Sequence, residues 1–397
     1  MVAAPTSKGA RRRRPALAVA FLALVVAAPT AAVTGGAAAG QVAQAPRAPK
    51  VAMKFFFGTT HQHTGESNNH GFDRSGPREA FRAARQGGLD FLLLTEHSGP
   101  TGPTEPEAFY AEANREAAAA TRNGEFVGLN GYEYSENGGD GDDDRGHLTV
   151  FGTAEMVSAA TRGMGFSALG RYLVAQDATR QVFAGFNHPR RAGHLASRRP
   201  LLTPEKRKLF ALSETANLVI YSKKRWSKYY GAFVSELQRG WRVAPTCGLD
   251  GHGLYALHQG ETSAKKPCRT GILAPRLSRQ SVISAILARR VYATGDLNLR
   301  AKYSVNGRWM GAELPRRKRL SFSISASDPD TGRSRDRITR IDVVGSGGKV
   351  VARKRFDSHR ARWSPRIRSR SSKYFFVRIY TAERAGHMAV LAPVWLR

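Results

Sequence analysis

Between Lys54 and Cys247 the chain alternates short β-type apolar runs with longer amphipathic stretches, and that alternation restricts its fold more than any other feature. Strands are expected at Lys54–Gly58, Leu89–Thr95, Phe126–Tyr134, His147–Gly152, Gln181–Phe186, Leu209–Thr215 and Arg242–Cys247. Helices are expected between them, at Arg78–Gln86, Glu105–Arg122, Gly165–Gln176 and Trp226–Gly240, and again at Arg279–Arg289. The first is bracketed by Ser75-Gly76-Pro77 and Gly87-Gly88 and carries Ala80, Phe81 and Ala84 at helical spacing. Repeated strand and helix units define an α/β chain. After Arg290 the texture changes to alternating strands at Leu299–Val305, Leu320–Ala326, Ile338–Val344 and Tyr374–Thr381, separated by N-G, P-D-T-G and G-S-G-G turns. That tail reads as a small all-β sandwich.

At 397 residues the chain has length for about two domains. With 41% hydrophobic residues spread between regular Gly and Pro punctuation it can bury a core, which excludes wholesale disorder and fibrous classes. The first 45 residues stand apart. Arg11–Arg14 form a positive start, Pro15–Ala28 a short apolar run, and small residues follow, the pattern of an export signal cleaved near Pro29–Val33 or Val42–Ala45. The run is shorter than the roughly 20 residues a spanning helix needs, and no other segment is apolar enough, so no transmembrane span is expected in the mature chain. In an oxidising compartment Cys247 and Cys268 are a candidate disulfide.

The formal charge is +31. Five positive charges lie in the first 45 residues, and residues 301–397 carry 23 basic against 7 acidic side chains. The region between is only mildly basic. An excess of this kind attracts anions, so the tail is the candidate docking surface for an anionic envelope polymer, above all Arg353–Arg370, where Phe356 and Trp363 are interleaved with Arg and Lys. The acidic run Glu136–Asp144 lacks the spacing of an EF-hand and opposes a long polyanion beside it; no specific nucleic-acid partner is expected.

Six segments place His or acidic residues at strand ends, the edge on which barrels of β and α units build their sites. They are T-T-H-Q-H-T with His61 and His63, L-L-L-T-E-H with His97, G-Y-E-Y with Glu133, G-H-L-T-V-F-G with His147, G-F-N-H-P-R-R with His188, and C-G-L-D-G-H-G with Asp250 and His252. Residues two apart in an extended segment face the same way, so His61 with His63, and Asp250 with His252, can reach one ion. One histidine beside a strand is usually structural. Six such strand ends point instead to a metal centre.

The order H-x-H, T-E-H, G-x-E, G-H-L, N-H-P and D-x-H resembles the PHP (polymerase and histidinol phosphatase) superfamily, and most closely its exported metallohydrolases with a β domain after the barrel, the carbaryl-hydrolase-like group. The likeness runs from Lys54 to about Leu314 and includes R-R-V-Y-A-T-G at Arg289–Gly295 and V-N-G-R-W-M-G at Val305–Gly311. It implies a distorted seven-stranded (β/α) barrel over residues 50–298 followed by the β domain over residues 299–397. It also implies two or three metal ions. His61, His63, Glu133 and Asp250 would hold one, Glu133 would bridge to a second held by His147 and His188, and His97 and His252 would hold a third with one residue from the loop after His63. That loop offers Glu66, His70 and Asp73, of which His70 is favoured.

Imidazole and carboxylate donors without thiolates suit Zn²⁺, Mn²⁺ or Fe²⁺, and such ions clamp an ester's oxygens and activate a water. The expected function is therefore metal-dependent hydrolysis of a small or anionic ester, a phosphoester first and a carboxylic or carbamate ester second. An envelope polymer binder with a vestigial site is the reading from a different class. Glu133 and Asp250 are candidate catalytic carboxylates, His194 a candidate proton donor, and Arg190 and Arg191 candidate anchors for an anionic group. Tyr255 and His258 are candidate lining residues. No G-x-S-x-G elbow or P-loop is present.

Overall fold

The computed structural model describes residues 52–66, 75–135, 146–158, 160–161, 164–189, 202–217, 223–257, 268–382 and 388–397. The expected export signal lies outside them. Val51–Arg397 form one compact unit.

Seven strands appear where the apolar runs place them, to within about two residues: β1 (Lys54–Thr59), β2 (Phe91–His97), β3 (Val127–Ser135), β4 (His147–Phe151), β5 (Phe183–Asn187), β6 (Phe210–Asn217) and β7 (Ala244–Gly248). Every residue of β2 to β7 is buried, as strands covered on both faces must be. The connecting helices are α1 (Pro77–Gln86), α2 (Pro106–Ala120), α3 (Phe166–Asp177), α4 (Pro204–Leu209) and α5 (Lys223–Arg239). In α1, Pro77 opens the first turn, Glu79 reaches back to accept the Gly76 N–H at 3.2 Å, and Ala80, Phe81 and Ala84 face inward.

The strands lie side by side in sequence order, curled into a half-barrel. β1, β2 and β3 run parallel, as do β5, β6 and β7, but β4 is antiparallel to both its neighbours. β1 and β7 share no ladder. Their edges meet just beyond the strands, where the His61 carbonyl accepts from the amides of Leu249 and Asp250 at 3.0 Å each and the His63 amide donates to the Gly251 carbonyl at 3.0 Å.

The other edge of β1 pairs antiparallel with β8 (Arg269–Ala274), which pairs across α6 (Arg279–Leu287) with β9 (Val291–Thr294). The tail then supplies β10 (Arg300–Val305), β11 (Arg308–Trp309), β12 (Glu313–Leu314), β13 (Arg319–Ser327), β14 (Ile338–Gly345), β15 (Val350–Ser358), β16 (Arg360–Trp363), β17 (Arg366–Arg368), β18 (Tyr374–Thr381), β19 (Met388–Leu391) and β20 (Val394–Leu396). Since β9 pairs with β19, the half-barrel sheet continues into β19, β18, β14 and β15, and a second sheet of β10, β11, β13, β16 and β17 faces this extension. Tyr303, Phe322, Ile324, Val343, Phe375 and Val377 fill the space between. Each such side chain contributes about 1.5–3 kcal/mol by leaving water. Phe356 and Trp363 pack partly buried against this same core, and Arg353 is bonded to the buried Asp342 at 2.7 Å.

Cys247 at the end of β7 and Cys268 before β8 are buried and disulfide-bonded, their Cα atoms 5.9 Å apart. The bond closes the segment that carries Asp250 and His252. A loop of this length implies about 3 kcal/mol. Cys247→Ser with Cys268→Ser is expected to lower the denaturation midpoint accordingly, read by urea melts; an unchanged midpoint would show that the bond restrains nothing.

Candidate metal centre

One edge of the half-barrel gathers the histidines. His61 and His63 extend beyond β1, His97 ends β2, Glu133 lies near the end of β3, His188 follows β5, and Asp250 and His252 follow β7. His147 begins β4 rather than ending it. Because β4 runs against its neighbours, its first residue lies at their C-terminal edge, paired with Ser135 of β3 and Asn187 of β5. His188 and Asp250 adopt left-handed backbone, φ 29° and 49°, each held by a hydrogen bond: the His188 amide donates to Glu214 Oε2 at 2.8 Å and the Asp250 amide to the His61 carbonyl at 3.0 Å. Such backbone costs about 1–3 kcal/mol and clusters at functional sites.

Glu133 occupies the middle. Its Oε1 lies 3.1 Å from His61 Nε2, 3.2 Å from His147 Nδ1 and 3.2 Å from His188 Nε2, and accepts from Asn187 Nδ2 at 2.7 Å. Its Oε2 lies 3.1 Å from His97 Nδ1 and 3.3 Å from His63 Nε2. Asp250 Oδ1 is 3.4 Å from both His61 Nε2 and His63 Nε2. The His63 and His252 rings stack, with centroids 4.3 Å apart. His61 and His63 are wholly enclosed, whereas the side chains of Asp250, His188 and His97 are 14%, 11% and 10% exposed. Tyr255, 52% exposed, stands beyond Asp250, and burial together with that carboxylate raises its phenol pKa.

Three groups can each hold an ion: His61, Glu133, His188 and Asp250; His97, Glu133 and His147; and His63, His97 and His252. In each, the donor atoms lie within 4.8 Å of one another. The donors are nitrogen and oxygen with no thiolate, which fits first-row divalent ions. Glu66 is described but belongs to none of these groups, and His70, Asp73, Arg190, Arg191, His194 and His258 lie outside the described residues.

The structure adds residues beyond the sequence reading. Glu214 in β6 accepts from His61 Nδ1 at 2.7 Å, which turns His61 Nε2 toward Glu133 and Asp250. Asn217 bridges Glu214 and Asp250 at 3.1 and 3.0 Å. Glu96 accepts from the Thr64 amide and lies 3.9 Å from His63 Nδ1. Gln62 Nε2 donates to the Gly251 carbonyl at 2.6 Å and the Gly253 carbonyl at 3.0 Å, fastening one ligand-bearing loop to the other. A signal for Glu214 was present: a carboxylate near the end of the sixth apolar run is costly to bury unless it is paired.

Burial alone would depress the His61 imidazole, yet Glu133, Asp250 and Glu214 hold its pKa well above the ordinary value. Against the same burial, Asp250 and Glu133 raise His63 from 6.5 to about 9. Burial and the neighbouring His63 lower His97, and carry His252 down to about 3. Burial would raise Glu133, but His61 and His147 keep it well below the usual carboxylate range. In the metal-free protein the raised His63 contributes stability that is complete below about 6.5 and disappears as pH rises through about 9. A cation entering beside His63 displaces its proton, so zinc uptake by metal-free protein is expected to release protons and to tighten from pH 6 toward about 9. Titrations in weakly buffered indicator solution measure this; uptake without proton release would contradict it.

No protein-family model matches the chain, and no curated protein matches it. Among solved structures it is similar to a two-domain protein from Bacteroides vulgatus containing a predicted PHP-like metal-dependent phosphoesterase, with 13% identity, 88% of this chain and 100% of that chain covered, and a TM-score of 0.44. At that distance no residue role passes from one chain to the other, and the chemistry follows from the side chains described above.

Proposed function

We propose that the chain is a metal-dependent hydrolase of ester bonds, with phosphoesters its preferred class. The observation that carries this reading is Glu133, a single buried carboxylate shared by two of the three ligand groups and within 3.3 Å of five imidazoles. Divalent ions there would polarise an ester oxygen and bring a water's pKa to about 7. His61, Glu133, His188 and Asp250 would hold one, His97, Glu133 and His147 a second, and His63, His97 and His252 a third. Glu214 and Asn217 would orient the first group, and Asp250, partly exposed within it, would accept a proton from the attacking water. Arg190 and Arg191 directly follow Pro189 beyond His188, which supports them as anchors for the substrate's anionic group, with His194 as donor to the leaving group.

The buried disulfide supports an exported location, and the charged and apolar pattern of the first residues supports a cleaved signal. Among the described residues no helix is long and apolar enough to cross a membrane.

Purified protein is expected to contain at least two transition-metal equivalents and to hydrolyse bis-aryl phosphate or aryl phosphate faster than aryl acetate. Preference for the acetate would move the reading to carboxylic esters. A folded protein that binds no transition metal, or turns over none of the three, would overturn it.

A further inference from the structure

A fourth group of metal-capable side chains lies in the tail, where the loop after β13 faces the connection from β9 to β10. One oxygen from each of Asp328, Asp330 and Asp336 falls within 4.8 Å of the others. Asp296 adds its negative charge across the loop. Carboxylates crowded in this way repel one another unless a cation or donors intervene.

The donors present leave an oxygen of Asp328 and one of Asn298 unmet. Asp328 is 1% exposed; its Oδ1 accepts the Asp330 amide at 2.9 Å, while its Oδ2 is enclosed and accepts nothing. Asn298 donates through Nδ2 to both oxygens of Asp330 at 3.3 Å, and its enclosed Oδ1 also accepts nothing. Two arginines approach, with Arg333 Nη1 3.5 Å from Asp330 Oδ2 and Arg335 Nε 3.7 Å from Asp336 Oδ1. Their side chains are 36% and 56% exposed, so water screens both, and neither of these contacts reaches Asp328. A buried carboxylate oxygen with no partner costs several kcal/mol where it is charged.

We propose that Asp328, Asp330 and Asp336, together with Asn298, form a Ca²⁺ site that ties the tail's β13 loop to the end of the half-barrel sheet. The donors are all oxygens, which hard cations select and which distinguishes this group from the histidine centre. With Ca–O distances of about 2.3–2.6 Å, oxygens on opposite sides of Ca²⁺ stand roughly 4.6–5.2 Å apart and adjacent ones closer, so three oxygens within 4.8 Å of one another can share one ion. Mg²⁺ requires about 2.0–2.1 Å and near-ideal octahedral geometry, a tighter cage than a loop joined to a second segment provides. Asp328 and Asp330, two apart, and Asp336 in the short turn Ser334–Asp336 bring their carboxylates together from one loop. Asn298 contributes from outside that loop, so binding couples two parts of the chain.

The full-length protein, carrying its own transition metals, is titrated calorimetrically with Ca²⁺ and with Mg²⁺ and melted with and without Ca²⁺. The expected result is one Ca²⁺ equivalent with a dissociation constant on the order of 10⁻⁴–10⁻³ M, weaker Mg²⁺ binding, and a higher melting temperature with Ca²⁺. Asp328→Asn and Asp330→Asn are each expected to weaken Ca²⁺ binding at least about tenfold and to abolish the thermal response, while transition-metal content stays unchanged. Wild-type protein that neither binds Ca²⁺ nor melts higher with it overturns the proposal even if both variants fail to fold. Variants that bind Ca²⁺ as wild type does would place the ion elsewhere, for example on the acidic run Glu136–Asp144, and overturn it equally.

Discussion

Replacing Glu133 with Gln is expected to lower ester hydrolysis by about 10³-fold and to remove roughly one transition-metal equivalent from the purified protein. The substitution preserves the side chain's shape, so the fold should survive. What changes is the charge. Glu133 is fully enclosed, and its two oxygens face five imidazoles at 3.1 to 3.3 Å. An amide presents one oxygen and one N–H₂ group, so in either orientation it aims donors at imidazole nitrogens or at an arriving cation. No second residue covers the loss, because Asp250 shares a group with His61 and His188 but with neither His97 nor His147. Metal content by plasma emission and turnover of an aryl phosphate measure the effect. Retention of both metal and rate would show that the carboxylate is only structural and would remove the central support for the hydrolase reading.

Gly248→Ala is expected to reduce metal affinity by about 10- to 100-fold although Gly248 ligates nothing. A Cβ at this position would stand 1.9 Å from Glu214 Oε1 and 3.1 Å from His61 Cβ, closer than any rearrangement short of moving Glu214 permits. The displaced carboxylate would release His61 Nδ1, and the ring would lose the orientation that turns Nε2 inward. Competition with a chromophoric chelator reads the affinity directly. A thermal melt of the metal-free variant separates this effect from a general loss of packing, since a purely structural defect would lower that melt as well.

Much of this architecture was legible in the sequence, for physical reasons that also explain the gaps. Strands buried on both faces must be apolar along their length, so L-L-L-T-E-H and its counterparts locate β2 to β7 closely. Ligands at strand ends break those runs with His and acidic residues, and His61, His63, His97, Glu133, His147, His188, Asp250 and His252 do converge. Residues acting one layer out were harder to see. Glu214 lies inside a run that reads as core and Glu96 just past one, and the pairing of each with a neighbouring imidazole or amide accompanies its burial. Strand direction was invisible too: G-H-L-T-V-F-G reads as a strand beginning at His147, but nothing in it tells that this strand runs against its neighbours and so brings its first residue to the site edge. The ladder between β9 and β19 joins segments about a hundred residues apart and leaves no local mark, so a sequence that changes texture at Arg290 still forms a continuous sheet there.

The reversal of β4 also bears on how this edge can diverge. A parallel neighbour would need a crossover of roughly a dozen or more residues, whereas β3 and β4 are consecutive antiparallel strands whose last register partners are Ser135 and His147. The intervening residues 136–145 start and finish beside Glu133 and His147, so a change in their number leaves the register of the described strands as it is. Loop-closure cost grows only slowly with length. The number of residues between Ser135 and His147 can therefore vary while Glu133 and His147 stay where they are.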